Sequence, residues 1–199
     1  TDGILVKLPD GSDETFYLID DICYEWEERT GLVLEFEEFR RVFQKDVNNY
    51  IVVTPDGKYH SKGAYVKKLN SLDYDLPIVN KALVNYMVHD IPVEKTINDC
   101  DELKEFQLVA KASSKYTHIL HGDKILNEKT IRIFASNDPR DKGVRKVHAK
   151  TGKPAKIPNS PENCFIFNNT VNGVKVPNKL DKQFYIDMAI KRLKDFGVL

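Results

Sequence analysis

At 199 residues, with 41% hydrophobic and 30% charged side chains, the chain is long enough for one large domain or two small ones, each with a genuine core. No apolar run nears the ~18–20 residues of a membrane-spanning helix, and the start reads without the basic-then-apolar layout of a signal peptide. The formal net charge of zero hides a gradient: residues 1–44 carry 12 acids and 4 bases, whereas residues 111–156 carry 12 bases and 4 acids. That asymmetry points to a polyanionic partner for the basic stretch, with an ordinary solvated surface as the alternative. Cys23, Cys100 and Cys164 lie far apart, which suggests neither a disulfide framework nor a zinc knuckle and fits a reducing cytoplasm.

In chain order, "ILVKL" reads as a short strand, and "PDGSDE" as a turn with Ser12 or Asp13 capping a helix from about Thr15 to Arg29. Phe16, Ile19, Cys23 and Trp26 share one face of that helix, and Gly31 suits its stop. "LVLEFEEF" alternates Leu32, Leu34 and Phe36 with Glu35 and Glu37, a half-exposed strand. "NYIVVTPDGKYHSKGAYV" is a hairpin pattern, two apolar runs around a Pro-Asp-Gly turn. These elements predict a small antiparallel sheet with a covering helix.

The texture changes near "KKLNSLDYDLP". Ile78, Val79, Leu83, Tyr86 and Met87 have helical spacing, Pro92 opens a second short helix, and "DELKEFQLVAKAS" predicts a third behind Asp101. In the basic stretch that follows, "KTIRIFAS" is strand-like and "NDPRDKG" turn-like. The closing "LDKQFYIDMAIKRLKDFG" is an amphipathic helix, with Phe184, Ile190 and Leu193 inward, Asp181 near its start and Gly197 at its stop. The fold class is α+β in two pieces: a small antiparallel sheet with a covering helix over residues 1–75, then a mainly helical part with some β over 76–199.

Few residues invite chemistry. The chain has no glycine-rich phosphate loop, nucleophile elbow or zinc-protease helix motif. His118 and His121 by themselves are weak evidence for a metal, which favours a surface or strand role over a metal site. Ser113 and Ser114 have no identifiable base.

Taken in order, three stretches resemble the family B DNA polymerases, with a bacteriophage flavour. "TDG" before a hydrophobic strand is similar to the latter part of the Asp-Thr-Asp-Ser/Gly signature, the third palm motif. In "TGLVLEFEEFRRVFQKDVNNYIVVTPDGKYHSKGAYVKK", Tyr50 matches the motif tyrosine, Lys62-Gly63 the Lys/Arg-Gly step, and Lys67-Lys68 the basic pair. "VPNKLDKQFYIDMAIKRLKDFG" is similar to the C-terminal thumb pattern. The resemblance spans nearly the whole chain and is loosest between residues 117 and 160.

The resemblance implies residues 1–75 as the last part of a polymerase palm and 76–199 as the thumb. In the complete enzyme two Mg²⁺ ions held by carboxylates drive nucleotidyl transfer from a dNTP to a primer end. Asp2 matches a direct metal ligand of that site, and one carboxylate cannot hold two metals. The chain alone is therefore expected not to polymerise and to need the N-terminal polymerase region or polypeptide. The break before Thr1 falls at a recurrent intein insertion point of the family, and a split gene, a truncated gene or a cloning choice gives the same start. What remains is a grip on primer-template DNA by Lys62, Lys67 and Lys68 on phosphates, with Tyr50 near the primer end.

The family's Lys-Lys-Arg before the tyrosine is replaced by Val47, Asn48 and Asn49; the uncharged Asn48 and Asn49 amides either bond a phosphate or a minor-groove acceptor or form a bulge or turn before the strand, with Lys45 as a partial substitute. Lys111 and Lys115, and the cluster Arg140, Lys142, Arg145 and Lys146, are the thumb candidates. A palm cut in this way also predicts self-association. The alternatives are a stand-alone non-catalytic nucleic-acid-binding protein and an intracellular interaction domain.

Overall fold

Helix-forming and strand-forming runs sort into two units in the computed structural model, Thr1–Glu38 and Phe39–Leu199. The structure describes residues 3–9, 13–70 and 73–199. Among these residues the architecture is mixed α+β, with four α-helices and three small antiparallel sheets.

The first unit holds α1 (Asp13–Thr30). It ends where the Gly31 N–H donates to the Glu27 carbonyl at 2.8 Å and Gly31 takes φ +68°, the stop expected of that glycine. Phe16, Ile19, Cys23 and Trp26 lie on its less exposed side, whereas Tyr17, Leu18, Ile22 and Tyr24 are each more than half exposed. Phe36 returns to meet the Phe16 ring edge-on at 6.2 Å, and the Leu34 N–H donates to the Glu27 carboxylate. Neither "ILVKL" nor "LVLEFEEF" is a strand here. Alternation sets which side chains share a face, but a strand also needs a partner to satisfy its backbone. No partner strand pairs with either segment among the described residues. Ser12 lies outside the described residues.

The second unit begins with a three-stranded meander: β1 (Arg41–Asp46), β2 (Asn49–Val53) and β3 (Tyr59–Lys62), in that order. The predicted hairpin is β2–β3, closed by the Pro-Asp-Gly turn with Val53 opposite Tyr59 and Tyr50 opposite Lys62. The third strand, β1, is masked in the sequence by the charged neighbours of "RRVFQKD" and takes the place expected of the earlier segments.

Leu76 then turns left-handed (φ 53°) into α2 (Pro77–His89). The buried Ile78, Val79, Leu83 and Met87 face the same core as Ile51, Val53 and Val66 of the meander and its following loop. Arg41 of β1 clamps the end of α2 through a two-pronged ion pair with Asp90, at 2.8 and 2.9 Å. α3 (Val93–Asp99) follows Pro92.

The predicted third helix is mostly a correction. Only Leu103–Phe106 forms a 3₁₀ turn, and β4 (Leu108–Lys111) continues as a strand. Leu108, Ala110 and Ala112 alternate inward, and β4 pairs with β7 (Thr130–Ala135), whose other side carries β10 (Cys164–Ile166). The last sheet is β6–β5–β8–β9, from β5 (Tyr116–His121), β6 (Lys124–Leu126), β8 (Val144–His148) and β9 (Pro154–Lys156). Residues 76–199 thus contain more β structure than the sequence pattern assigns.

The closing helix α4 (Lys182–Asp195) behaves as read. The Asp181 carboxylate accepts from the Gln183 and Phe184 N–H groups, and Gly197 takes φ +68° beyond its end. Leu193 is fully buried; Phe184 and Ile190 pack partly buried against the core. Tyr185 is also buried, and it ties two elements together. Its hydroxyl donates to the Phe106 carbonyl at 2.8 Å and accepts from the Ala135 N–H at 3.0 Å, joining the 3₁₀ turn to β7.

Candidate nucleic-acid interface

The site is assembled at the end of the meander where β1 turns into β2. Asp46 leaves β1 at a bulge, and its carboxylate accepts from the Asn48 N–H at 2.9 Å and from Asn49 Nδ2 at 2.9 and 3.0 Å. These bonds, led by that from the Asn49 side chain, hold the Asp46 carboxyl below the usual carboxylate range. Val47 and Asn48 therefore form the turn, and Asn49 opens β2 with its side chain bonded back to Asp46, the turn before the strand that their sequence left open.

Gly63 explains why the next segment must be glycine. It has φ +107°, and a Cβ there would stand 2.3 Å from Asn49 Oδ1 and 2.6 Å from the Asn48 carbonyl. No side chain fits at that distance, so the end of β3 passes directly over the Asn48–Asn49 turn. Tyr50 is half-buried on the central strand opposite Lys62. The structure thus brings Asn48, Asn49, Tyr50, Lys62 and Gly63 to one tip, although Gly63 stands 13 positions after Tyr50 in the chain.

From Gly63 the chain makes a tight loop. The Gly63 carbonyl accepts from the Val66 and Lys67 N–H groups at 3.2 and 2.9 Å, and fully buried Val66 pins the loop to the core. Asn80 of α2 donates to the Lys67 carbonyl at 3.2 Å. The exposed ammonium of Lys67 pairs with Asp73. Lys62 and Lys68 are exposed and make no ion pair with any described residue. Two of the three expected phosphate contacts therefore keep their charge unshared, while Lys67 shares its own.

The thumb candidates fall elsewhere. Lys111, at the end of β4, and Lys146, on β8, line one cleft of about 320 Å³ whose floor includes Ala110, Ala112 and Ile119. Lys146 lies 4.4 Å from the centre of the Tyr116 ring, a cation–π contact. Lys115 is exposed, and its carbonyl accepts from the Ala149 N–H. Arg140 is engaged by Asp138 at 2.7 Å, so its charge serves the local turn. Lys142 and Arg145 are exposed. His118 bonds its neighbour Thr117, and His121 Nε2 meets the Cys164 carbonyl at 2.9 Å, the strand role expected of the pair.

Two features of the site escape the sequence. Lys45 Nζ lies 5.0 Å from the Tyr65 ring centre, and the Arg192 guanidinium lies 4.3 Å from the same centre. Arg192 is only 4% exposed. The one signal is its position on α4, one residue before Leu193 and on the stripe set by Tyr185 and Ala189, where a basic residue is out of place.

Asp2, the expected metal ligand, lies outside the described residues. Among the described residues no group of three or more His, Cys, Asp or Glu side chains is placed to hold a metal ion. No helix among the described residues is long and apolar enough to cross a membrane. No family model matches the chain, and a search of curated proteins returns no match.

Proposed function

We propose that the chain is the C-terminal palm and thumb portion of a bacteriophage-type family B DNA polymerase, and that it grips primer-template duplex through the tip at Asn48–Lys68. The observation that supports this most is the meeting of Asn48, Asn49, Tyr50, Lys62 and Gly63, the residues singled out by the sequence resemblance, at one end of one sheet. Lys62, Lys67 and Lys68 bind phosphates along the backbone without reading sequence, and Tyr50 presents an aromatic body with a polar end. The Asn48–Asn49 turn offers amides in place of the family's cations. Lys111, Lys115 and Lys146 serve as a second contact along the product duplex.

Nucleotidyl transfer belongs to the complete polymerase, in the cytoplasm of the host cell, with Asp2 joining carboxylates from the N-terminal region to hold Mg²⁺. Alone, the chain binds DNA and does not extend it. Exposed Phe16, Leu18, Ile22 and Trp26 support self-association of the isolated chain; a clean monomer at high concentration by sedimentation contradicts that part.

The test combines binding and reconstitution. Labelled primer-template should bind at low salt and be released steeply as salt rises. Mixed with the polypeptide that completes the palm, with Mg²⁺ and dNTPs, the chain should extend the primer, and Asp2→Ala should abolish extension. Absence of duplex binding at low salt overturns the DNA reading. Binding without extension by a folded pair overturns the polymerase assignment and leaves a non-catalytic nucleic-acid-binding protein.

A further inference from the structure

Arg192 is buried without the partners a buried arginine normally has. It is 4% exposed on α4, and its Nη2 makes no hydrogen bond. It forms no ion pair among the described residues. Asp75 and Asp195 act on it only through longer-range attraction, and burial pushes its guanidinium down from the usual arginine range. A buried charge with an unsatisfied donor is costly, and an apolar side chain of similar shape at such a position is often neutral or better for stability. Stability therefore gives a poor reason for arginine here.

The contact the guanidinium does make is with Tyr65, at 4.3 Å from the ring centre, and Lys45 approaches the same ring at 5.0 Å. Tyr65 lies inside the tight Gly63–Lys67 turn, between Lys62 on one side and Lys67 and Lys68 on the other. We infer that Arg192 is a positioning residue: through Tyr65 it sets the Gly63–Lys68 loop, so that the closing helix α4 controls how the loop lysines meet a phosphodiester backbone. A methionine would fill the space but would not hold the ring face by charge. The inference rests on the proposed DNA grip for its functional consequence and on the loop geometry for its physical one. Arg192 itself is too buried to touch a phosphate.

The experiment uses the full chain with three variants, Arg192→Met, Arg192→Lys and Tyr65→Leu. Three quantities are read: the melting temperature, the affinity for a fluorescein-labelled primer-template with its salt slope, and hydrogen exchange of the Val66 and Lys67 amides. Arg192→Met should melt at or above the wild-type temperature, bind roughly tenfold more weakly, as expected on losing a desolvated cation–π contact, and keep the wild-type salt slope, because no phosphate contact is removed. Exchange at Val66 and Lys67 should quicken. Arg192→Lys should recover part of the affinity, and adding Tyr65→Leu to Arg192→Met should cost nothing further.

Wild-type affinity and exchange in Arg192→Met overturn the inference, as does an affinity loss matched by a lower melting temperature. A shallower salt slope would make Arg192 a direct phosphate ligand and also overturn it. If the wild-type chain binds no duplex, the DNA reading falls instead. Exchange then still decides whether Arg192 holds the loop.

Discussion

The two units use apolar residues in opposite ways. From residue 3 to residue 38 no described side chain is buried, although the segment carries Ile4, Leu5, Val6, Leu18, Ile22, Trp26, Leu32 and Phe36. From Phe39 onward one continuous core runs from Ile51 on the meander through Leu83 and Phe134 to Leu193 on the last helix. Apolar content does not separate the units. In the second, strands and helices pair, so each apolar stripe finds another. In the first, the same periodicity yields a helix and two segments without regular structure, whose apolar side chains find few partners within the unit. Apolar patterning thus states which surface is to be covered, and pairing decides whether it is.

The sharpest way to break that contrast is truncation on each side of it. Phe134 is fully buried and stacks on Phe165 at 5.2 Å, so Phe134→Ala should cost about 3–5 kcal/mol in urea unfolding. Ile22, 63% exposed, should cost no more than about 0.5 kcal/mol when changed to Ala. Equal costs would mean that α1 is part of the cooperative fold in the isolated chain. Next in size is Tyr185→Phe, which leaves the Phe106 carbonyl and the Ala135 N–H without their hydroxyl partner. It should lower stability by about 1–3 kcal/mol, and an unchanged midpoint would show that water fills the gap.

Gly63→Ala forces a side chain onto the Asn48–Asn49 turn, at about 1–3 kcal/mol of local strain. Because the tip lies at the edge of the core, the loss should show as faster amide exchange from Asn48 to Lys68 before it shows in the global midpoint. Uniform exchange across the chain would contradict a separable tip.

Thiol labelling gives a smaller contrast. Burial pushes Cys164 up to about 12, so a thiol reagent at about pH 8, near the ordinary thiol pKa, should modify half-buried Cys23 well before Cys164. Matched rates would show that the region around β10 opens easily.

The smallest effect is at the exposed β2–β3 turn. Hydrogen bonds from Lys58 and Thr54 hold Asp56 down to about 2. Its contribution is complete above the ordinary carboxylate pKa near about 4 and is lost as pH falls from about 4 to about 2. The turn amides should loosen over that window while the core does not, and Asp56→Asn should remove the dependence.

Much of the fold is legible where local chemistry acts alone. The Asp181 cap, the Gly31 and Gly197 stops and the Pro-Asp-Gly turn follow from side chains and backbone freedom within a few residues, and each stands where expected. What misleads is anything decided at a distance. "QLVAK" has no helical or strand signature strong enough to choose, and antiparallel pairing with β7, across the whole of β5 and β6, makes it β4. "ILVKL" is apolar enough for a short strand and lacks a partner among the described residues. At the tip, Tyr50, Lys62 and Gly63 stand out by their order in the chain, but the close passage of Gly63 over Asn49 is not visible there. Arg192 is legible only as a charge on an apolar stripe, and its meeting with Tyr65 depends on the whole second unit folding.

The measurement that bears most directly on the proposed grip is the salt dependence of primer-template binding by the wild-type chain and by Lys62→Gln/Lys68→Gln. Lys62 and Lys68 keep their charges unshared, so removing both should weaken binding to all sequences alike and flatten the slope of log K against log salt by about two units. A double variant with the wild-type slope, or a wild-type chain that does not bind duplex at about 50 mM salt, where such contacts are near their strongest, would contradict the tip as the DNA grip.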